Sequence, residues 1–338
     1  MIYSRTLDEI PAQGGNDMPS DRLRVAIWLD ELDLSLDEGL QVAVDLGSEY
    51  VWFSRLPGET PVPEMTDAEA DDMARRVHAR GRKLFTLGAG HAFHDLRMTD
   101  LSPGRLRQHE VFRRDFDAVV RTMEIAARLG VGAVTTYGLL WPGEWTDWPD
   151  TWSRSPGWPM RWATGGGIVS EAELRGLVEI FGELLEGAEK HGVDLIVNQR
   201  PFHYTNTTGH FQQLAERLDS PRLKAFWGPA DNVLSGEREV PTKGYDRLRP
   251  LLAALHLKDV QVHDGAGGEF AWRPIGEGEV GYSTVFRRLV EDGSDAVLAV
   301  ATHFLPPGGG TRTEAMAINH ARVTALLEQV RREVEAEG

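Results

Sequence analysis

The feature that most constrains the fold of this sequence is a repeated alternation of short apolar runs with longer amphipathic segments. The alternation occurs eight times between residues 24 and 335. The first apolar run spans residues 24–29 and the last spans 296–302, and a segment with helical periodicity follows each run. Strands that alternate with helices in this way form a parallel sheet covered by helices. The order of the elements therefore predicts an α/β fold.

The number and length of these units separate two α/β architectures. Eight short strands, with no Gly-x-Gly-x-x-Gly motif after the first, favour a closed (β/α)8 TIM barrel over an open doubly wound sheet. We predict one barrel domain over residues 22–338, preceded by a polar N-terminal arm over 1–21 whose composition allows disorder. Such barrels usually need about 250 residues. The residues of this chain beyond that number include one long insertion over 138–167, in the fourth βα loop.

Composition and charge exclude several classes of partner and chemistry. The chain carries 52 acidic and 36 basic residues, a formal net charge of −16, which opposes binding to nucleic acid or to an anionic membrane. It has no cysteine, so disulfides, iron–sulfur ligation and thiolate nucleophiles are excluded. The N-terminal segment does not resemble a signal peptide, and no apolar run reaches the roughly 20 residues of a membrane span. We expect a cytoplasmic protein with a small-molecule substrate. The sequence is compatible with a homo-oligomer or a hetero-oligomer.

Polar side chains follow the later apolar runs, at the points where a barrel would bring strand ends to one face. Active sites of such barrels lie on that face, and polar groups converging there can hold a metal or polarise a carbonyl. The candidates are Asn198, Arg200, His203, Trp227, Asp231, His256, Lys258 and His303.

Several short motifs occur in an order that is typical of one barrel family. The most specific is His256-Leu-Lys-Asp259, followed by Ile275-Gly-Glu-Gly-Glu279. Leu129-Gly130 and Asp231-Asn232 occur at matching positions upstream. With these motifs the chain resembles the xylose isomerase-like barrel superfamily, the sugar phosphate isomerase/epimerase family, over roughly residues 24–335.

The resemblance implies a divalent metal, Mn, Mg or Zn, held by Glu, Asp, His and Glu on strands five to eight. In the family the metal polarises a carbonyl and a carboxylate removes a proton from carbon. This sequence departs from that set, because Asn198 stands where the first Glu belongs and Thr302 or His303 where the second belongs. Asp231 matches with a shift, the alternative being that Gly228 has replaced the ligand. Only His256 carries over directly.

The resemblance and the strand ends together yield candidate roles. Asp231, His256 and His303 form a tentative metal set, and Lys258, His303 and Asp231 are candidate catalytic groups. Candidate substrate-binding residues are Trp141, Trp145, Asn198, Arg200, His203 and Trp227. Each candidate has a structural alternative: Lys258–Asp259 as a strand-end ion pair, His256 as a core histidine, and Asp231–Asn232 as a turn.

The insertion holds six of the ten tryptophans of the chain. Indole rings stack on sugars, so the segment 141–162 is predicted to form a lid over the barrel mouth, with Trp141 and Trp145 nearest the substrate. Two alternatives remain: a proline-stiffened flap that the tryptophans pack against the barrel, and a protein interface.

The leading functional hypothesis is an isomerase, epimerase or lyase acting on a sugar, inositol or keto-glycoside-like substrate through proton abstraction next to a polarised carbonyl. Elimination fits slightly better than epimerisation, because it needs only one base. The alternative is a carbohydrate-binding or complex-forming barrel that has lost metal and catalysis. A metal-dependent abasic-site nuclease, another branch of the superfamily, is disfavoured by the negative charge.

Overall fold

The computed structural model describes residues 22–142, 158–306 and 308–337. The predicted N-terminal arm and residues 143–157 of the insertion, including Trp145, lie outside the described residues, so the arm and most of the predicted lid remain expectations. None of the helices within the described ranges is long and apolar enough to cross a membrane.

Eleven strands occur in the described part of the chain, and nine of them form one parallel sheet. The strands are β1 (Arg24–Trp28), β2 (Tyr50–Trp52), β3 (Lys83–Leu84), β4 (Leu87–Gly88), β5 (Ala133–Tyr137), β6 (Asp194–Asn198), β7 (Leu223–Trp227), β8 (Leu252–Leu257), β9 (Asp259–Asp264), β10 (Glu269–Arg273) and β11 (Val297–Val300). The sheet runs in the order β3-β2-β1-β11-β8-β7-β6-β5-β4. Its two edges, β3 and β4, are consecutive in the chain and separated only by Phe85 and Thr86, so the sheet closes on itself. The predicted TIM barrel is confirmed.

Helices follow the barrel strands along the chain, as the alternation predicted, and the last helix comes after the last strand. They are α1 (Leu36–Asp45), α2 (Asp67–Ala79), α3 (Glu110–Leu129), α4 (Trp158–Ala163), α5 (Glu171–His191), α6 (Thr208–Leu218), α7 (Pro229–Leu234), α8 (Tyr245–Leu248), α9 (Tyr282–Glu291) and α10 (Arg312–Glu337). Local sequence sets their ends. Thr66 accepts a hydrogen bond from the Glu69 amide and Glu69 accepts one from the Thr66 amide, a capping box that begins α2. Gly130 ends α3 at φ 70°, where a side chain would be strained.

A cluster of large side chains fills the barrel interior and forms the floor of its mouth. The rings of Trp28 and Trp52 stack with centroids 4.6 Å apart, and Phe226 meets Trp52 edge-on at 5.1 Å. Ala254 and Ala299 complete this layer. A larger apolar core lies between the sheet and the helices. A polar site in this barrel can therefore lie only at the carboxyl ends of the strands.

From the sequence alone, residues 255–262 are expected to form one strand. The chain instead leaves the barrel after Leu257, the end of the seventh barrel strand β8, and turns into the antiparallel hairpin β9–β10. Asp259 stabilises this exit. Its carboxylate accepts hydrogen bonds from the backbone amides of Val260, Gly276, Gly278 and Val280, at 2.9–3.3 Å. The His-x-Lys-Asp and Gly-Glu-Gly-Glu motifs thus meet at one carboxylate, which bonds to backbone amides rather than to Lys258.

Candidate functional site

A cavity of about 560 Å³ opens at the carboxyl ends of the first five barrel strands. Acidic and basic side chains both line it, together with aromatic rings. Those that bear on the chemistry are Trp28, Glu31, His91, His94, Tyr137 and Arg200. A concave, charged pocket at this face of a TIM barrel is where such folds place their active sites.

A buried ion pair, which is not part of the lining of this cavity, joins the sixth and seventh barrel strands. Lys258 follows β8, Asp231 lies in the first turn of α7, and Lys258 Nζ is 2.9 Å from Asp231 Oδ1. The two side chains are 1% and 0% exposed. Burial lowers the pKa of Lys258 to about 8, although the carboxylate of Asp231 opposes the shift. Trp272 of the hairpin covers the ammonium, which lies 5.3 Å from its ring centroid.

A second buried cluster joins the first, seventh and eighth strands. Glu31 Oε1 lies 3.1 Å from His303 Nε2 and 3.8 Å from His256 Nε2. The backbone amide and hydroxyl of Thr302 both donate to Glu31 Oε2. Burial alone would raise the pKa of Glu31, but the two imidazoles outweigh it and hold that pKa well below its usual range. Burial lowers the pKa of His303 to about 4 and that of His256 well below its usual range, so both rings are neutral at pH 7.

Arg200 and Asn198 occupy the fifth-strand side of the mouth. The Arg200 guanidinium carbon lies 5.7 Å from the Trp28 ring and 5.5 Å from the Tyr137 ring, and the side chain lines the cavity. Asn198 is fully buried, and neither amide atom has a hydrogen-bond partner within the described ranges. Its side chain lies at the end of β6, the position at which the family resemblance implies a glutamate.

The remaining predicted binding residues pack against protein groups. His203 donates from Nε2 to the His94 carbonyl oxygen at 2.9 Å. Trp227 donates from Nε1 to Asn232 Oδ1 at 2.6 Å and is fully buried. Trp141 packs against Tyr204, with ring centroids 4.3 Å apart. None of the three predicted residues lines the described cavity, and their role in substrate binding stays a prediction.

Sequence reasoning did not select three groups that the structure places at the mouth. Glu31 follows the first strand by three residues, and His91 and His94 follow the third. The signal for Glu31 was present, because Asp30-Glu31 comes directly after an apolar run, as the other candidates do. The two histidines stack with centroids 5.2 Å apart and line the cavity.

The metal set that the resemblance implies does not fit this arrangement. Asn198 offers an amide in place of a carboxylate, which weakens any divalent site. Asp231 is paired with the ammonium of Lys258, and a cation there would meet that like charge. We therefore derive no reaction step through a metal at the family's position.

The sequence profile of the family described as "Xylose isomerase-like TIM barrel" matches residues 40–319. The chain belongs to this family. No curated protein matches it in sequence. Solved structures with the same fold include L-ribulose 3-epimerase, at 15% identity and a TM-score of 0.67, covering 94% of this chain and 98% of that one.

Two further solved structures share the fold. A probable 3-DHS dehydratase involved in petrobactin synthesis from Bacillus anthracis has 14% identity and a TM-score of 0.63, covering 89% of this chain and 98% of that one. A xylose isomerase-like TIM barrel protein from Mycobacterium smegmatis, in complex with magnesium, has 15% identity and a TM-score of 0.62, covering 91% and 97%. At such identities these likenesses show the fold alone. The family resemblance inferred from the motifs is confirmed. A sugar-modifying enzyme is among the solved structures that share the fold of this chain.

Proposed function

We propose that the protein is an isomerase, epimerase or lyase that acts on a sugar, inositol or keto-glycoside-like molecule by moving a proton next to a carbonyl. The observation that supports this most strongly is the buried Lys258–Asp231 pair at the carboxyl ends of the barrel strands. The pair interacts electrostatically with Arg200, which lines the cavity.

In the proposed reaction Lys258 and Asp231 act as one proton-transfer unit. The carboxylate accepts the proton that the substrate carbon loses, and the ammonium stabilises the negative charge that develops on the carbonyl oxygen. Arg200 adds a second positive charge on the cavity side. Because the pair is buried, water competes weakly with these interactions, and each is stronger than it would be at the surface.

The cavity fits a substrate of this class. Its volume of about 560 Å³ lies within the range of roughly 300–1,000 Å³ that is typical of small-molecule sites. Trp28 and Tyr137 offer ring faces to the C–H groups of a polyol, while Arg200 and Glu31 offer partners for its hydroxyl and carbonyl oxygens. A ligand between these groups would be oriented by both kinds of contact.

The experiment is solvent exchange. The wild-type protein is incubated in D2O with ketoses, inososes and 3-keto-glycosides, and incorporation of deuterium next to the carbonyl is followed by NMR. We expect Lys258→Met to lose exchange by at least about 100-fold, the usual contribution of a group that stabilises the negative charge on the carbonyl oxygen. Asn198→Ala should retain exchange, because an amide does not take a proton at neutral pH.

Lys243→Met is the matched control, since that lysine is exposed and pairs with Glu239 on the surface. It should keep the wild-type exchange rate. Exchange that survives in Lys258→Met, or that is lost only in Asn198→Ala, would contradict the assignment.

A carbohydrate-binding or complex-forming barrel without catalysis is the second candidate, and Asn198 favours it. The family's acid–base glutamate is absent from that position. This candidate predicts calorimetric binding of a carbohydrate with no deuterium exchange and no product for any carbonyl compound of the panel. Exchange with any one of them excludes it.

A further inference from the structure

The barrel topology brings Glu31, His256 and His303 to one point of the rim. β1 pairs with β11, and β11 pairs with β8, so the upper ends of these three strands are adjacent. One ligand atom from each side chain lies within 4.8 Å of the other two. The cluster borders the cavity through Glu31.

The environment of these side chains favours a ligand that is not protein. Thr302 fixes one carboxylate oxygen of Glu31 and leaves Oε1 directed at the two imidazoles. His256 is fully buried, and neither of its ring nitrogens has a hydrogen-bond partner in the part of the chain that the structure describes. A buried polar group without a partner costs about 1–3 kcal/mol. A bound cation would provide that partner.

The separations match those of metal ligands. With metal–ligand bonds of about 2.1 Å, two ligands lie about 3.0 Å apart at a right angle and about 3.4 Å apart at the tetrahedral angle. The observed Oε1 distances to the two imidazoles, 3.1 and 3.8 Å, lie within a few tenths of an ångström of these values, and all three ligand atoms lie within 4.8 Å of one another. We propose that Glu31, His256 and His303 bind one divalent transition-metal ion.

Two neutral imidazoles and one carboxylate also define the kind of ion. Such a set suits Zn²⁺, Fe²⁺ or Mn²⁺, whereas Mg²⁺ prefers oxygen ligands. The three protein ligands leave further coordination positions, and Glu31 places the ion beside the cavity. The positive charges of Lys258 and Arg200 act on both histidines and oppose the cation, so an anionic ligand in the cavity should strengthen metal binding.

This site differs from the one that the family implies. The family's set includes ligands at the ends of β6 and β7, where this chain has Asn198 and the ion-paired Asp231, whereas the proposed set takes its carboxylate from the end of β1. The inference does not depend on the proposed function, because metal uptake is measured without any substrate.

The experiment is metal uptake by protein that has been stripped with a chelator. After dialysis against Zn²⁺ or Co²⁺, elemental analysis should find one ion per wild-type chain, and the cobalt form should show visible absorption bands. Glu31→Gln and His303→Gln should each lower the affinity at least tenfold. Asp231→Asn should keep one ion per chain, whereas a site at the family's position would lose it.

Matched controls are a buried glutamate and a buried histidine elsewhere in the barrel, Glu237 and His320. Glu237→Gln and His320→Gln should bind metal as the wild type does. Retention of stoichiometric metal in folded Glu31→Gln, or loss in Asp231→Asn alone, overturns the proposal. Should the ligand variants not fold, cobalt titration of the wild-type chain decides. Failure to take up one equivalent of cobalt then refutes the site.

Discussion

The buried pair of Lys258 and Asp231 makes a prediction about stability that needs no substrate. Replacing Lys258 by Met keeps the length and apolar character of the side chain but removes the ammonium that lies 2.9 Å from Asp231. The carboxylate then stays in a fully buried position without its partner. Breaking a buried pair from one side typically destabilises by about 3–5 kcal/mol. Because Arg200 also attracts Asp231, we expect the lower half of that range.

This loss in the free energy of unfolding corresponds to a measurable decrease in the melting temperature, Tm. At an unfolding entropy of about 2.1 cal/mol/K per residue, a chain of 338 residues has about 0.7 kcal/mol/K. A loss of about 3–4 kcal/mol therefore corresponds to a decrease in Tm of about 4–6 °C. The double variant Lys258→Met/Asp231→Asn removes both charges, and most of the lost stability should return, since neither charge of the pair then stays buried without the other.

The assay is thermal unfolding by circular dichroism, with urea unfolding of the same four proteins: wild type, both single variants and the double variant. Lys243→Met measures the effect of removing an exposed ammonium and should shift Tm by less than about 1 °C, as surface pairs contribute little. A Tm of Lys258→Met equal to that of Lys243→Met would refute the role of the pair in stability. A double variant no more stable than Lys258→Met would refute it too, because the carboxylate would then not be the source of the loss.

Three further predictions concern the frame around the site. Asp259→Ala removes the acceptor of four backbone amides, so the free energy of unfolding should fall by about 3 kcal/mol and amide exchange in the β9–β10 hairpin should accelerate; unchanged exchange would refute this role. Trp141→Ala should destabilise by about 3–5 kcal/mol through loss of its packing on Tyr204, and an unchanged Tm with weakened ligand binding would instead support the lid. Burial lowers the pKa of His210 from 6.5 to about 4, so the unfolded chain takes up the proton first and stability falls as the pH drops through that window. His210→Gln should show a smaller loss between pH 7 and pH 4, and an identical pH dependence would count against the shift.

Much of the fold could be predicted because its signals are local. The capping box of Thr66 and Glu69 and the glycine that ends α3 at Gly130 mark helix boundaries in the sequence itself. The hairpin could not be predicted as easily. Residues 255–262 contain no glycine or proline that would mark a break after Leu257. The break depends on backbone amides that return to Asp259 from residues 17 to 21 positions further along the chain.

The candidate site was predicted in part, for a physical reason. Strand-end position and family motifs select Arg200, Asp231 and Lys258, but neither signal shows which side chains pair. The ammonium of Lys258 meets Asp231 across two strands, while its sequence neighbour Asp259 turns to the hairpin. The sequence orders residues along the chain, whereas pairing depends on the neighbours that barrel closure creates.

Closure of the barrel also explains why Glu31 was not among the candidate residues predicted from the sequence. In the chain, Glu31 and His303 stand at opposite ends of the barrel domain, and a search for ligands among the last four strands does not reach the first. In the closed sheet β1 lies beside β11, so the carboxylate of Glu31 comes within 3.1 Å of the His303 imidazole. The proposed ligand set therefore takes its carboxylate from the end of β1 rather than from β6, where Asn198 stands, and keeps His256. Because all eight strand ends face the same rim, a functional centre can shift around it while the fold is unchanged. For a barrel of this family, the search for ligands has to include the first strand together with the last.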